Sequence, residues 1–121
     1  MIYLVYAYED RYGGNHGINT WDIYDVDSVR EAEEIGQDMS IEVMESYGSI
    51  GEELLDEARE EAEFYGYEED SLDFENILDE IYKENIAYEL YRLSDEYTVE
   101  QYREMMETLD WEEIRDKYGV D

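Results

Sequence analysis

The feature that most constrains this chain is its excess of acidic residues. Of its 121 residues, 37 are Asp or Glu and eight are Lys or Arg, which gives a formal net charge of -29. Chains this acidic stay disordered when they are poor in aromatic and aliphatic residues, because they cannot form a core. Here 43% of the residues are apolar, with 14 Tyr, two Trp and two Phe. We therefore expect one ordered domain with a modest core, spanning residues 1–121.

Composition excludes several kinds of site and location. The chain contains no cysteine, so it can form no disulfide, thiol nucleophile or thiolate metal site, which fits a reducing cytosol. Its longest apolar runs, such as residues 2 to 7, are too short to span a bilayer. The N-terminus lacks the basic start and long apolar middle of a signal peptide. These features predict a cytoplasmic protein.

The charge also limits the partners of the chain. Nucleic acid and anionic membranes would repel it, so direct binding to either is not expected. Adaptation to high salt would favour Asp and small apolar groups, whereas the chain has 24 Glu, 13 Asp and many Tyr and Ile. We therefore expect a basic protein surface as the partner. We expect a monomer or homodimer without a small-molecule ligand or cofactor.

The N-terminal quarter has the pattern of two strands. Residues 2 to 8 are rich in aliphatic and aromatic residues, and residues 20 to 26 place Trp21 and Ile23 on one face. Between them, EDRYGGNHGIN contains three glycines and two asparagines, which are turn formers. This order predicts a β-hairpin with a long loop, which must pack on helices or gain strands from a partner subunit.

The remainder of the chain predicts four or five helices. Capping boxes at Ser28 and Ser49 predict two helix starts, and Gly66 is expected as the left-handed cap that ends the second helix near Tyr65. A third, long helix is expected over residues 72–93. Shorter helices are expected from Thr98 and around residues 110–118. The predicted fold is α+β: an N-terminal β-hairpin packed on a bundle of four to five acidic helices.

The second helix separates its residues by type. At about 100° per residue, its acidic residues fall within an arc of about 180°. They are Glu52, Glu53, Asp56, Glu57, Glu60, Glu61 and Glu63. The apolar residues fall between about 200° and 300°. They are Leu54, Leu55, Ala58, Ala62 and Tyr65. The seven carboxylates cover roughly 18 Å, or one charge per about 2.6 Å. A DNA strand carries one phosphate per roughly 3.4 Å.

Two interpretations of this acidic arc are open. An ordinary solvent-exposed face explains the separation, but such faces normally mix both signs of charge. Four like-charged i,i+4 pairs weaken this helix by a few tenths of a kcal/mol each, and only Arg59 relieves the repulsion. Because the excess is global, we favour a functional role for the arc.

Two segments carry a resemblance to a known class of proteins. GEELLDEAREEAE (51 to 63) and YEEDSLDFE (67 to 75) place carboxylates along predicted helices of a small chain without proline. In size and charge pattern the chain resembles the acidic DNA-mimic inhibitors that phages and mobile elements direct against host defence, the anti-CRISPR and anti-restriction proteins. The resemblance implies a non-enzymatic inhibitor that occupies the basic DNA-binding channel of a host nuclease, in the host cytoplasm if the chain is phage-encoded. The residues expected to bind the partner are Glu52, Glu53, Asp56, Glu57, Glu60, Glu61, Glu63, Tyr67, Glu68, Glu69, Asp70 and Asp73.

Other functions remain as alternatives. An acidic adaptor or chaperone that shields a basic intracellular protein is the main one, and it differs from the mimic because it need not compete with DNA. The segments 22–27 and 67–75 lack the glycine of an EF-hand loop, so no specific metal site is expected. His16, the only histidine, lies in GGNHG without a nucleophile motif and is interpreted as a turn residue. The same loop, with Arg11, is a possible second contact surface. No residue pair indicates an enzyme.

Overall fold

A three-stranded antiparallel sheet organises the structure. The computed structural model describes residues 1–9, 19–46 and 48–120. The strands are β1 (Ile2–Glu9), β2 (Asn19–Asp25) and β3 (Ile86–Leu93), in the spatial order β2-β1-β3. The helices are α1 (Val29–Ser46), α2 (Gly48–Tyr65), α3 (Leu72–Glu84), α4 (Val99–Met105) and α5 (Trp111–Tyr118). The predicted α+β class is confirmed.

The predicted N-terminal hairpin is formed by β1 and β2. The two strands are antiparallel, with Ile2 opposite Asp25 and Tyr8 opposite Asn19. Residues 2 to 7 are all buried, because β1 is the central strand and helices cover both of its faces. This explains why β1 is a continuous apolar run rather than an alternating one. Most of the predicted turn between the strands, with Arg11 and His16, lies outside the described residues.

The predicted long helix over residues 72–93 is wrong. Helix α3 ends at Glu84, and the chain continues as β3, which pairs with β1 along its whole length. The amide N–H of Asn85 caps the helix by donating to the carbonyls of Tyr82 and Lys83. Residues four positions apart lie on the same face of a helix and also on the same face of a strand. The spacing of Ile86 and Leu90 therefore could not distinguish a helix from a strand. The sheet thus gains its third strand from the same chain.

The helices lie on two sides of the sheet rather than in one bundle. On one face, Ala32 and Met39 of α1 pack with Val5. On the opposite face, Tyr102 of α4 and Ile114 of α5 are buried against β1. The sheet therefore separates α1 from the C-terminal helices, which the periodicity of each helix alone could not indicate.

Helices α2 and α3 form a helical hairpin that packs on α1. Their shared core contains seven buried residues: Met44, Leu54, Ala58, Ala62, Phe74, Ile77 and Ile81. All seven come from helices, and Ile86 at the start of β3 packs against them.

The helix starts follow local capping chemistry. Ser28 Oγ accepts from the amide of Glu31 at 3.2 Å, and Thr98 with Gln101 forms a complete capping box. Helix α2 begins at Gly48, so Ser49 lies inside its first turn and is not the cap that the sequence predicted. Gly66 has φ of +78°, which confirms the predicted left-handed residue after α2.

Candidate functional site

The acidic side of α2 is the candidate functional site. Six of its seven carboxylate residues are exposed, and Glu57 is half-buried. On the other side, Leu54, Ala58 and Ala62 are buried in the helical core, with Leu55 packed beside them. The predicted division of α2 into an apolar stripe and an acidic arc is therefore confirmed, except at Tyr65. We refer to Glu52, Glu53, Asp56, Glu57, Glu60, Glu61 and Glu63 as the carboxylate face.

One residue of the predicted apolar stripe is not buried. Tyr65 is 58% exposed, although its helical angle matches that of Leu54 and Ala58. Ala62 is the last residue of α2 that belongs to the helical core, and Tyr65, about one turn later, lies beyond it. The angle of a residue predicts its direction, whereas its burial depends on how far the neighbouring helix extends.

Aromatic rings cluster at the end of α2. The ring of Tyr65 meets that of Phe64 edge-on at 5.1 Å between centroids and stacks with that of Tyr67 at 5.7 Å. All three residues are exposed. We refer to Phe64, Tyr65 and Tyr67 as the aromatic turn. Tyr67 is among the residues expected to bind the partner, whereas Phe64 was not predicted. The signal missed for Phe64 was two adjacent aromatic residues where a helix ends.

The connection between α2 and α3 carries the remaining predicted residues. Glu68, Glu69, Asp70 and Asp73 are all exposed. Ser71 holds the connection in place, because its hydroxyl donates to the carbonyl of Glu68 at 2.6 Å and accepts from the amide of Phe74. The twelve predicted residues thus lie on one segment, residues 52–73, which consists of α2, the connection and the start of α3.

One basic side chain interrupts this segment. Arg59 pairs with Asp56 at 3.3 Å and with Glu69 at 2.7 Å, and so links α2 to the connection. Elsewhere in this segment, over the side chains that the structure describes, the carboxylates without an ion pair are Glu52, Glu60, Glu61, Glu63, Glu68, Asp70 and Asp73. Most of the negative charge is therefore available to a partner.

A shallow depression lies beside the start of the carboxylate face. It measures about 330 Å³ and is lined by Glu45, Gly51, Glu52, Leu55 and Tyr82. Burial, and then the charge of Glu45, raises the pKa of the Tyr82 phenol above its usual value. Two carboxylates beside an aromatic ring suit a cationic side chain.

Charge is distributed unevenly between the two sides of the sheet. From residue 29 to 84, which covers α1 to α3, there are 21 acidic and three basic residues. From residue 86 to 120 there are ten acidic and four basic residues. Arg92, Arg103 and Arg115 in this second region each pair with an aspartate. The more one-sided charge therefore lies on the side that contains the carboxylate face.

Other kinds of site find no support in the part of the chain that is described. Over residues 1–9, 19–46 and 48–120, no three acidic or histidine side chains converge as metal ligands. No helix in these ranges is long and apolar enough to cross a membrane. Arg11 and His16, the possible second contact surface, lie outside them.

The chain was also compared with known proteins. No family model, no curated protein and no solved structure matches it.

Proposed function

We propose that the chain inhibits a nucleic-acid-binding nuclease, of the CRISPR effector or restriction enzyme class, by occupying its basic DNA-binding channel. The acidic helices α1 to α3 supply the binding side, and the carboxylate face of α2 is its centre. The observation that carries the proposal is the one-sidedness of this face: seven carboxylate residues and one arginine over twelve residues of exposed helix. Occupation of the channel requires no catalysis, so inhibition is stoichiometric.

Charge density supports the choice of a DNA-binding channel. The carboxylate face carries one charge per about 2.6 Å of helix axis, between the roughly 3.4 Å of a DNA strand and the roughly 1.7 Å of the duplex. Arginine and lysine side chains that grip phosphates also bind carboxylates through charge-assisted hydrogen bonds. The same side chains can therefore hold either ligand, but not both at once.

The uncompensated charge supports selection for a partner. Like charges at i,i+4 destabilise α2, and a single exchange of Glu for Lys would relieve the repulsion at little structural cost. Only Arg59 lies among these carboxylates, and it pairs with Asp56 and Glu69. A surface that only kept the chain in solution would not need this arrangement.

The test is competition with DNA. The protein is titrated into binding reactions of labelled DNA with a panel of restriction and CRISPR nucleases at low salt. We expect displacement of DNA from at least one nuclease, and weaker displacement as salt is added, because both surfaces are charged. If DNA stays bound to every nuclease at saturating protein, the proposal is wrong.

Two charge-matched variants locate the contact. Exchange of Glu52, Glu60, Glu61 and Glu63 for Gln removes four exposed charges from the carboxylate face. Exchange of Glu100, Glu104, Glu107 and Glu112 for Gln removes four exposed charges from the opposite side of the sheet. We expect the first variant to be at least about tenfold less potent as an inhibitor than the wild-type protein. We expect the second variant to be nearly as potent as the wild-type protein. An equal loss of inhibition in both variants would show that inhibition depends on the net charge of the protein and not on a defined contact surface.

An acidic adaptor or chaperone for a basic protein is the second candidate. The exposed aromatic turn favours it, because phosphate mimicry needs carboxylates but no aromatic rings. Under this candidate the protein binds basic proteins without displacing DNA from any nuclease, so the competition experiment also separates the two.

A further inference from the structure

The exposed apolar residues of the chain are concentrated in one place. Among the described residues there are six exposed large hydrophobic residues, and four of them fall between residues 64 and 72. They are Phe64, Tyr65, Tyr67 and Leu72. Phe64 is the most open at 83%. Concentrated exposed aromatic surface marks sites of protein association, whereas scattered single residues do not.

The backbone holds the three rings of the aromatic turn in place. Gly66 reverses the chain after α2, and the amide of Tyr67 donates to the carbonyl of Ala62 at 2.8 Å. This closing bond brings the ring of Tyr67 back against that of Tyr65. The rings are thus ordered by the helix end and by one another, although none of them belongs to the helical core. Preordered aromatic groups lose little conformational entropy when they bind.

Carboxylates surround the rings. Glu63 precedes the aromatic turn, and Glu68 and Asp70 follow it, all exposed and without an ion pair among the side chains described. Glu69 binds the guanidinium of Arg59 at 2.7 Å, so this turn already holds one arginine of its own chain. The local chemistry is therefore aromatic faces beside acidic oxygens.

We infer that the aromatic turn binds arginine side chains presented by a basic partner protein. A guanidinium stacks flat on an aromatic ring while its N–H groups bind carboxylates, which a lysine ammonium does less well. A second copy of this chain does not suit the turn, because two chains of net charge -29 repel each other. A membrane or a nucleic acid is disfavoured by the same charge. The inference rests on the proposed function only in taking the partner to be a basic protein.

The test uses an arginine-rich peptide and a counterpart in which every arginine is lysine. Electrostatic attraction to the chain is the same for both, so any difference reports on the side-chain chemistry. We expect the wild-type protein to bind the arginine peptide about fivefold more tightly. Exchange of Phe64, Tyr65 and Tyr67 for Ser keeps the net charge and is expected to remove this preference. Equal binding of both peptides by wild type, or a preference that survives in the variant, overturns the inference.

Two controls and one direct measurement accompany this test. Val29→Ser with Val120→Ser removes exposed apolar surface elsewhere and is expected to keep the preference. The triple variant Glu52→Gln, Glu60→Gln and Glu61→Gln leaves Glu63 beside the rings, and it is expected to weaken the binding of both peptides equally. Nuclear magnetic resonance of the aromatic rings in the wild-type protein tests the inference even if the Ser variant fails to fold. Ring signals of the aromatic turn that do not shift on addition of the arginine peptide overturn the inference.

The outcomes separate this inference from the proposed function. DNA displacement without an arginine preference supports the nuclease inhibitor and contradicts the role of the aromatic turn. An arginine preference without DNA displacement from any nuclease supports the aromatic turn and contradicts the inhibitor. Self-association of wild type that is lost in the Ser variant identifies a second copy as the occupant and contradicts the inference.

Discussion

At the scale of single residues, Ser40 joins two strands of the sheet. Its side chain is fully buried. Its hydroxyl donates to the carbonyl of Tyr8 at 3.1 Å and accepts from the amide of Ala87 at 3.0 Å. One side chain of α1 thus satisfies a backbone group on β1 and another on β3, where the pairing of the two strands comes to its end.

We expect Ser40→Ala to lower the free energy of unfolding by about 1–3 kcal/mol, because the buried amide of Ala87 and the part-buried carbonyl of Tyr8 each lose a hydrogen bond. Urea denaturation followed by circular dichroism measures the change. Ser46→Ala, at an exposed position of the same helix, is the control and is expected to change little. A Ser40→Ala protein as stable as wild type would show that the two strands close the gap directly.

Tyr6 couples stability to alkaline pH. Burial, with a smaller contribution from Glu89, raises the pKa of its phenol from 10.0 to about 12. Its ring is stacked on that of Trp111 at 4.3 Å. In the unfolded chain the phenol loses its proton at lower pH than in the folded one. The contribution of this group to stability is therefore complete below pH 10 and is lost as pH rises towards 12.

We expect Tyr6→Phe to reduce the loss of stability between pH 10 and about 12 by up to about 3 kcal/mol. The measurement is urea denaturation of both proteins at several pH values in that range. The slope of the free energy of unfolding against pH is compared rather than its absolute value, because the substitution also removes a hydroxyl. Parallel curves for the two proteins would contradict the assignment.

At the scale of elements, Gly36 sets how closely α1 approaches β3. A Cβ atom at this position would lie 2.5 Å from Cδ2 and 2.7 Å from Cγ of the Tyr88 ring. Gly51 of α2 differs, since the nearest atom to a Cβ there is 3.6 Å away. The two glycines are both helical, but only the first is required by packing.

We expect Gly36→Ala to destabilise the protein by about 1 kcal/mol, because the cost of overpacking exceeds the gain in helix propensity. Gly51→Ala is the matched control, and we expect it to stabilise by up to about 1 kcal/mol. Thermal unfolding of both variants measures the difference. If both substitutions stabilise, the ring of Tyr88 moves aside freely and the contact does not set the distance.

At the scale of the whole molecule, the charge of -29 opposes the folded state through self-repulsion. We expect added sodium chloride, up to about 0.5 M, to stabilise the protein by about 1 kcal/mol, or roughly 4 °C in Tm, because it screens this repulsion. Differential scanning calorimetry over a salt series measures it. The variant with Gln at 52, 60, 61 and 63 is expected to respond less. A Tm that falls with salt would show that ion pairs such as Arg59–Glu69 outweigh the repulsion.

The sequence alone determined the features that depend on neighbours along the chain. The carboxylate face and its opposed apolar stripe follow from helical periodicity, and the end of α2 follows from Gly66. The start of α4 follows from the capping box of Thr98 and Gln101. Each of these rests on contacts within a few residues, so local spacing was enough to predict them.

Only the tertiary structure decided the features that depend on distant residues. The segment from Ile86 to Leu93 became a strand because β1, some eighty residues earlier, offers a free edge for pairing. Tyr65 is exposed because the helical core does not extend beyond Ala62 on α2. The sheet places the more acidic helices on one side. Local periodicity does not indicate such partners. Strand pairing and packing are stabilised by contacts between distant residues, which form only when the chain folds.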